Sequence, residues 1–118
     1  MNKIAILVLA DTETHGDLGR VVNALEVAKE FKDAGDQVTV LFDGAGTRWV
    51  AELSKPGHKR HALFESLRDV IHGACAFCSA AFGVKDAVAA AGVALLDEFE
   101  QHPSIRSLVN DGYQVITF

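Results

Sequence analysis

The chain has 118 residues, 49% of them hydrophobic, enough for one domain to bury roughly two-thirds of its unfolded surface in a single core without a disulfide staple. Sixteen acidic against eleven basic side chains give a net charge of -5 and a pI near 5.4. That balance repels a phosphate backbone and argues against nucleic acid and anionic membranes as partners.

Met1-Asn2-Lys3 followed by Ile4 to Ala10 has the outline of a short signal peptide, but Asp11 and Glu13 stand where small cleavage-site residues belong. The segment reads instead as a strand. It has no polar alternation, as expected of a strand covered by helices on both faces of a parallel sheet. After the polar loop Asp11 to Gly16, apolar residues recur at Leu18, Val21, Val22, Leu25, Ala28 and Phe31, the spacing of a helix with one buried stripe. Asp17 is the expected N-cap and Gly35 the expected stop. Val38 to Phe42 is a β-branched, apolar second strand, which completes a β-α-β unit of right-handed sense.

A short amphipathic stretch with Trp49, Val50 and Leu53 follows, then a turn at Lys55-Pro56-Gly57 and a helix using Leu63, Leu67, Val70 and Ile71. Gly73 to Phe77 reads as a third buried strand, and Ser79 to Phe82 as the first turn of a helix interrupted by Gly83. The Ala-rich run from Ala87 begins helical and ends in a short strand around Val93 to Leu96. Pro103 suits the first turn of a last helix with Ile105, Leu108 and Val109 on its apolar face. Gly112 then feeds strand Gln114 to Phe118, repeating the Gly35-to-Val38 transition. No linker or low-complexity tract divides the chain. The expected fold is a single domain over residues 1–118, a doubly wound α/β sandwich of the flavodoxin/Rossmann type with a mainly parallel sheet of about five strands.

In such sheets ligands bind beyond the carboxyl ends of the strands. That rule selects Asp11 to Gly16, Asp43 to Arg48, and Cys75-Ala76-Phe77-Cys78. The glycine-containing loops lack the spacings that cradle phosphates, so no nucleotide is expected. Cys75 and Cys78 fall at the predicted strand-to-helix junction, where free backbone N–H groups favour a thiolate. Cys75, inside the strand, reads as a packed core residue, and Cys78 as the functional thiol. His15, after the central strand, is a candidate base or hydrogen-bond donor toward Cys78. Zinc needs four ligands and no second Cys-x-x-Cys exists, although His15, His58, His61 and His72 could contribute in space; no metal is expected. His58-Lys59-Arg60-His61, the one basic cluster, is either solvated surface or a dock for an anion or acidic partner. Arg48 and Lys85 could support a thiolate or persulfide anion. Two cysteines without a secretory signal imply a reducing, cytoplasmic setting.

From Lys3-Ile4-Ala5-Ile6-Leu7-Val8, through Cys78-Ser79-Ala80-Ala81-Phe82-Gly83-Val84, to Leu108-Val109-Asn110-Asp111-Gly112-Tyr113-Gln114-Val115-Ile116, the chain resembles the DsrE/DsrF-like family of small sulfur-relay proteins. The resemblance implies that Cys78 carries a persulfide between a sulfur-donor and a sulfur-acceptor protein, with no cofactor. It also implies a homo-oligomer, trimer or hexamer. Cys75 could resolve a Cys78 persulfide into a disulfide and release sulfide. Two other readings stay open, a non-catalytic binding or assembly module of the same fold and a Cys-x-x-Cys dithiol redox or zinc-binding protein.

Overall fold

The first strand, β1 (Lys3–Val8), is buried from Ile4 onward, as its unbroken apolar run requires. In the computed structural model, which describes residues 1–118, it lies between β2 (Gln37–Phe42) and β5 (Gln114–Thr117) and pairs in parallel with both. Strands β3 (Ile71–Cys75) and β4 (Leu95–Leu96) extend the sheet beyond β2, so the order is β4-β3-β2-β1-β5 and every pairing is parallel.

Between β1 and β2 runs α1 (His15–Asp33). A 3-10 turn (Gly44–Thr47), α2 (Arg48–Leu53), α3 (His61–Ser66) and a second 3-10 turn (Arg68–Val70) join β2 to β3. The short helices α4 (Ala76–Ala81) and α5 (Lys85–Ala90) join β3 to β4, and α6 (Ile105–Asn110) precedes β5. The strand period of two splits the apolar residues between the faces. Ile4, Ile6, Val8, Val40, Phe42 and Ala74 share the larger cluster with Val21 and Leu25 of α1, Trp49, Val50 and Leu53 of α2, Phe64 of α3 and Val88 of α5. Leu7, Leu41 and Leu96 point to the opposite face, where Ile105 and Leu108 of α6 pack on them. The molecule is thus the expected doubly wound, flavodoxin-like sandwich, with one thick helical layer and one thin one. No helix is long and apolar enough to cross a membrane.

Several local expectations are corrected. The cap of α1 is Thr14, not Asp17: Thr14 Oγ1 accepts the Asp17 N–H at 3.0 Å, while Asp17 Oδ2 accepts the Thr14 N–H at 3.2 Å. This reciprocal pair satisfies two free donors at once and starts the helix three residues earlier than a lone Asp cap would. Gly35 ends it as expected, at φ +84. The third strand begins at Ile71, which the helical spacing had claimed, because α3 stops at Ser66 and a 3-10 turn reverses the chain. Pro103 lies just ahead of α6, whose cap is Ser104, with Oγ accepting the Ser107 N–H at 3.2 Å. Val109 is 57% exposed and not on the packed face.

Candidate functional site

The carboxyl ends of β2, β3 and β4 converge. At the end of β2, Asp43 leaves the sheet with its N–H bonded to the Val8 carbonyl at 2.9 Å, and its Oδ1 caps the following turn by accepting the Gly44 N–H at 2.8 Å. Gly46 in that turn lies so close to β1 that a Cβ would sit 2.1 Å from the Val8 carbonyl oxygen. Only glycine allows the approach, and the approach places Asp43 over the sheet edge.

β3 ends two residues earlier than the sequence predicts. It ends at Cys75, and α4 begins at Ala76. Cys75 is therefore the last strand residue and also the N-cap, buried as expected, while Cys78 sits in the first helical turn, just past the junction expected for it. A Cys-x-x-Cys segment of this geometry folds back on itself: the Cys78 N–H donates to Cys75 Sγ at 3.3 Å, as the hydroxyl of a capping serine would accept. Cys75 is wholly buried and Cys78 half-buried, and both are free thiols. Burial pushes the Cys75 thiol up to about 12, with the Asp43 carboxylate acting in the same direction. At neutral pH Cys75 is a protonated thiol and the only nucleophile of the pair open to solvent is Cys78.

The fourth side chain comes from beyond β4. Phe99 and His102 pair across a two-residue turn, with reciprocal backbone hydrogen bonds of 2.9 and 2.7 Å. The turn's central residues Glu100 and Gln101 adopt φ +47 and +68, the left-handed region that such turns normally fill with Asn-Gly. Non-glycine residues held there cost about 1 kcal/mol or more each. The strained turn carries His102 inward, where Nδ1 lies 3.2 Å from Cys75 Sγ. The direction of this hydrogen bond follows the imidazole tautomer. The Gln101 carbonyl stands behind as an acceptor at 3.8 Å and also accepts the Phe77 N–H at 2.9 Å. The Phe77 ring, half exposed, lies against the His102 imidazole with centroids 4.9 Å apart. Cys78 Sγ in turn donates to Asp43 Oδ1 at 3.4 Å.

One ligand atom from each of Asp43, Cys75, Cys78 and His102 thus falls within 4.8 Å of the others. The chain leaves β3 toward the helices on the thick face and leaves β4 toward α6 on the thin face. The cluster therefore occupies the point where the winding reverses, the place ligands favour in open parallel sheets.

Other predicted site residues lie elsewhere. His15 is the first, exposed residue of α1 and lines a separate groove of about 850 Å³ with Gly57, His58, Lys59 and Arg60; it is not among the four side chains gathered at Cys78. The basic cluster is partly committed to its own backbone, since His58 Nδ1 accepts the Arg60 N–H at 3.0 Å and His61 Nδ1 bonds the Leu53 carbonyl at 2.8 Å. Arg48 is held by Asp11 at 3.0 Å and Glu13 at 2.7 Å. Lys85 and His72 are exposed. Asp43 lay in a loop that the strand-end rule selects but was not singled out. His102 was missed, although the same rule applied to the fourth strand points to residues 97–104.

Comparison with known proteins adds little to this geometry. No family model matches the chain, and no solved structure matches it. The chain is similar to uncharacterized protein MJ0733 of Methanocaldococcus jannaschii, 26% identical over 96 residues, which cover 81% of this chain and 78% of that protein.

Proposed function

We propose that the protein is a DsrE/DsrF-like sulfur carrier of a reducing cytoplasm, which accepts sulfane sulfur on Cys78 and passes it to an acceptor protein. The observation that carries this reading is the inequality of the two thiols. In a dithiol that cycles through a disulfide the second thiol must itself attack as a thiolate, so closure slows as its thiolate fraction and access fall. Here Cys75 is buried and pushed up to about 12, whereas Cys78 is accessible. Exchange with a partner is therefore open to Cys78 alone.

The chemistry balances without an external oxidant. The Cys78 thiolate attacks the outer sulfur of a donor persulfide, forming a Cys78 S–S bond, breaking the donor's S–S bond and releasing the donor as a thiolate. An acceptor thiolate then attacks the outer sulfur on Cys78 and regenerates the Cys78 thiolate. Attack by Cys75 on the inner sulfur would instead give a disulfide and expel hydrosulfide. A protonated Cys75 holds that loss back. Phe77, Phe82 and Phe99, 50%, 43% and 63% exposed, lie on the segments around the site and suit docking of partner proteins rather than a deep substrate pocket.

To test this, the reduced protein is incubated with a cysteine desulfurase and cysteine, then analysed by mass spectrometry. One added sulfur on Cys78 is expected, retained in Cys75→Ser and absent in Cys78→Ser. No adduct, or one that survives Cys78→Ser, refutes the reading. The resemblance further implies a trimer or hexamer, which sedimentation of the reduced protein reads directly.

A further inference from the structure

We infer that Asp43, Cys75, Cys78 and His102 form a binding site for a single zinc-type divalent ion. Four donors arrive from three separate segments, the ends of β2 and β3 and the turn after β4, within 4.8 Å of one another. Two sulfurs, one imidazole nitrogen and one carboxylate oxygen make a borderline-soft set, which selects zinc over the oxygen-seeking calcium and magnesium.

The spacing fits as well. Tetrahedral zinc with ligand bonds of about 2.0 to 2.3 Å holds its donor atoms about 3.3 to 3.8 Å apart. Cys75 Sγ and His102 Nδ1 are already 3.2 Å apart, and Cys78 Sγ and Asp43 Oδ1 3.4 Å. Small closures of the remaining pairs suffice. Groups behind the donors also suit a metal: the Cys78 N–H on Cys75 Sγ and the Gly44 N–H on Asp43 Oδ1 stabilise negative charge on two ligands, and Phe77 packs against the third. Cys75 forms the closed floor, while Asp43, Cys78 and His102 are half-buried and leave a path for the ion from solvent.

Binding releases the two thiol protons to the buffer and leaves zinc bound by two thiolates, the carboxylate and the imidazole, with no change of oxidation state. Zinc and a persulfide then compete for Cys78. The inference rests on the four-residue geometry and not on sulfur transfer.

The test uses the untagged, reduced, full-length protein stripped by a chelator and titrated first with cobalt as a spectroscopic probe, then with zinc. One ion per chain is expected, with the intense visible bands of tetrahedral cobalt, a thiolate-to-cobalt charge-transfer band, and two protons released per zinc. Asp43→Ala and His102→Ala should each weaken zinc binding by about ten- to a hundredfold or more, with circular dichroism confirming the fold. On the unaltered protein, one equivalent of zinc should slow iodoacetamide alkylation of Cys78. Sub-stoichiometric or octahedral cobalt, no protection of Cys78, or unchanged affinity in folded Asp43→Ala and His102→Ala overturns the inference. A protein that binds zinc but takes up no sulfur sinks only the relay reading, and the reverse outcome sinks only this one.

Discussion

If Cys75 guards the Cys78 persulfide by staying protonated, sulfide release must depend on pH in a way that reports its burial. An ordinary cysteine would ionise near 9.0, and Cys75 does so near 12. Between pH 7 and 9 that difference leaves about a thousandfold fewer Cys75 thiolates. A more basic thiolate is a better nucleophile, with a Brønsted slope of about 0.4 to 0.5, which returns about 15- to 30-fold. The net protection is about 30- to 60-fold over an exposed thiol. The assay loads Cys78 with one sulfur, removes the donor and follows hydrosulfide with an electrode from pH 6 to 10. Release should rise tenfold per pH unit through pH 9 without levelling, and this component should vanish in Cys75→Ser. A plateau near pH 9, or release indifferent to Cys75→Ser, would show that burial of Cys75 does not protect the carrier.

The same thiol makes stability pH-dependent. Above 9.0 the unfolded chain loses the Cys75 proton while the folded one keeps it to about 12, so this contribution is intact below pH 9 and stability falls as pH rises, by at most about 1.4 kcal/mol per unit. Urea unfolding of wild type and Cys75→Ala at pH 8 to 10.5 checks this, and a gap that widens with pH contradicts it. In Gly46→Ala the new methyl meets the Val8 backbone, and thermal melts should show a loss of about 1 to 3 kcal/mol; an unchanged melting temperature means the turn moves freely. Ser79 Oγ is buried with no hydrogen-bond partner, so Ser79→Ala should be neutral or stabilising by up to about 1 kcal/mol, and clear destabilisation in urea would reveal a partner for the hydroxyl. Replacing Glu100-Gln101 by Asn-Gly relieves two positive-φ residues and should add about 1 to 2 kcal/mol; a lower melting temperature would show that the turn is not strained.

Much of the fold was legible along the chain because its signals are local. The unbroken apolar run Ile4 to Val8, the stripe from Leu18 to Phe31 and the glycine stops at Gly35 and Gly112 reflect solvent exclusion and backbone sterics, which act over a few residues. The order of short elements was harder. The third strand slid from Gly73–Phe77 to Ile71–Cys75 because Ile and Val serve a buried strand and a helix face equally well.

The cysteine pair was equally visible, since three-residue spacing is a property of the chain. Its surroundings were not. Asp43 lies 35 positions from Cys78 and His102 27 positions from Cys75, and nothing in local periodicity joins residues so distant. Only the packing of β2, β3 and β4 side by side, with the chain leaving β3 and β4 toward opposite faces, brings them together. That packing also made Cys75 the cap of α4 as well as a core residue. A strand ending at Cys75 buries that sulfur and raises its proton affinity, because desolvation is a property of the assembled core and not of any segment alone.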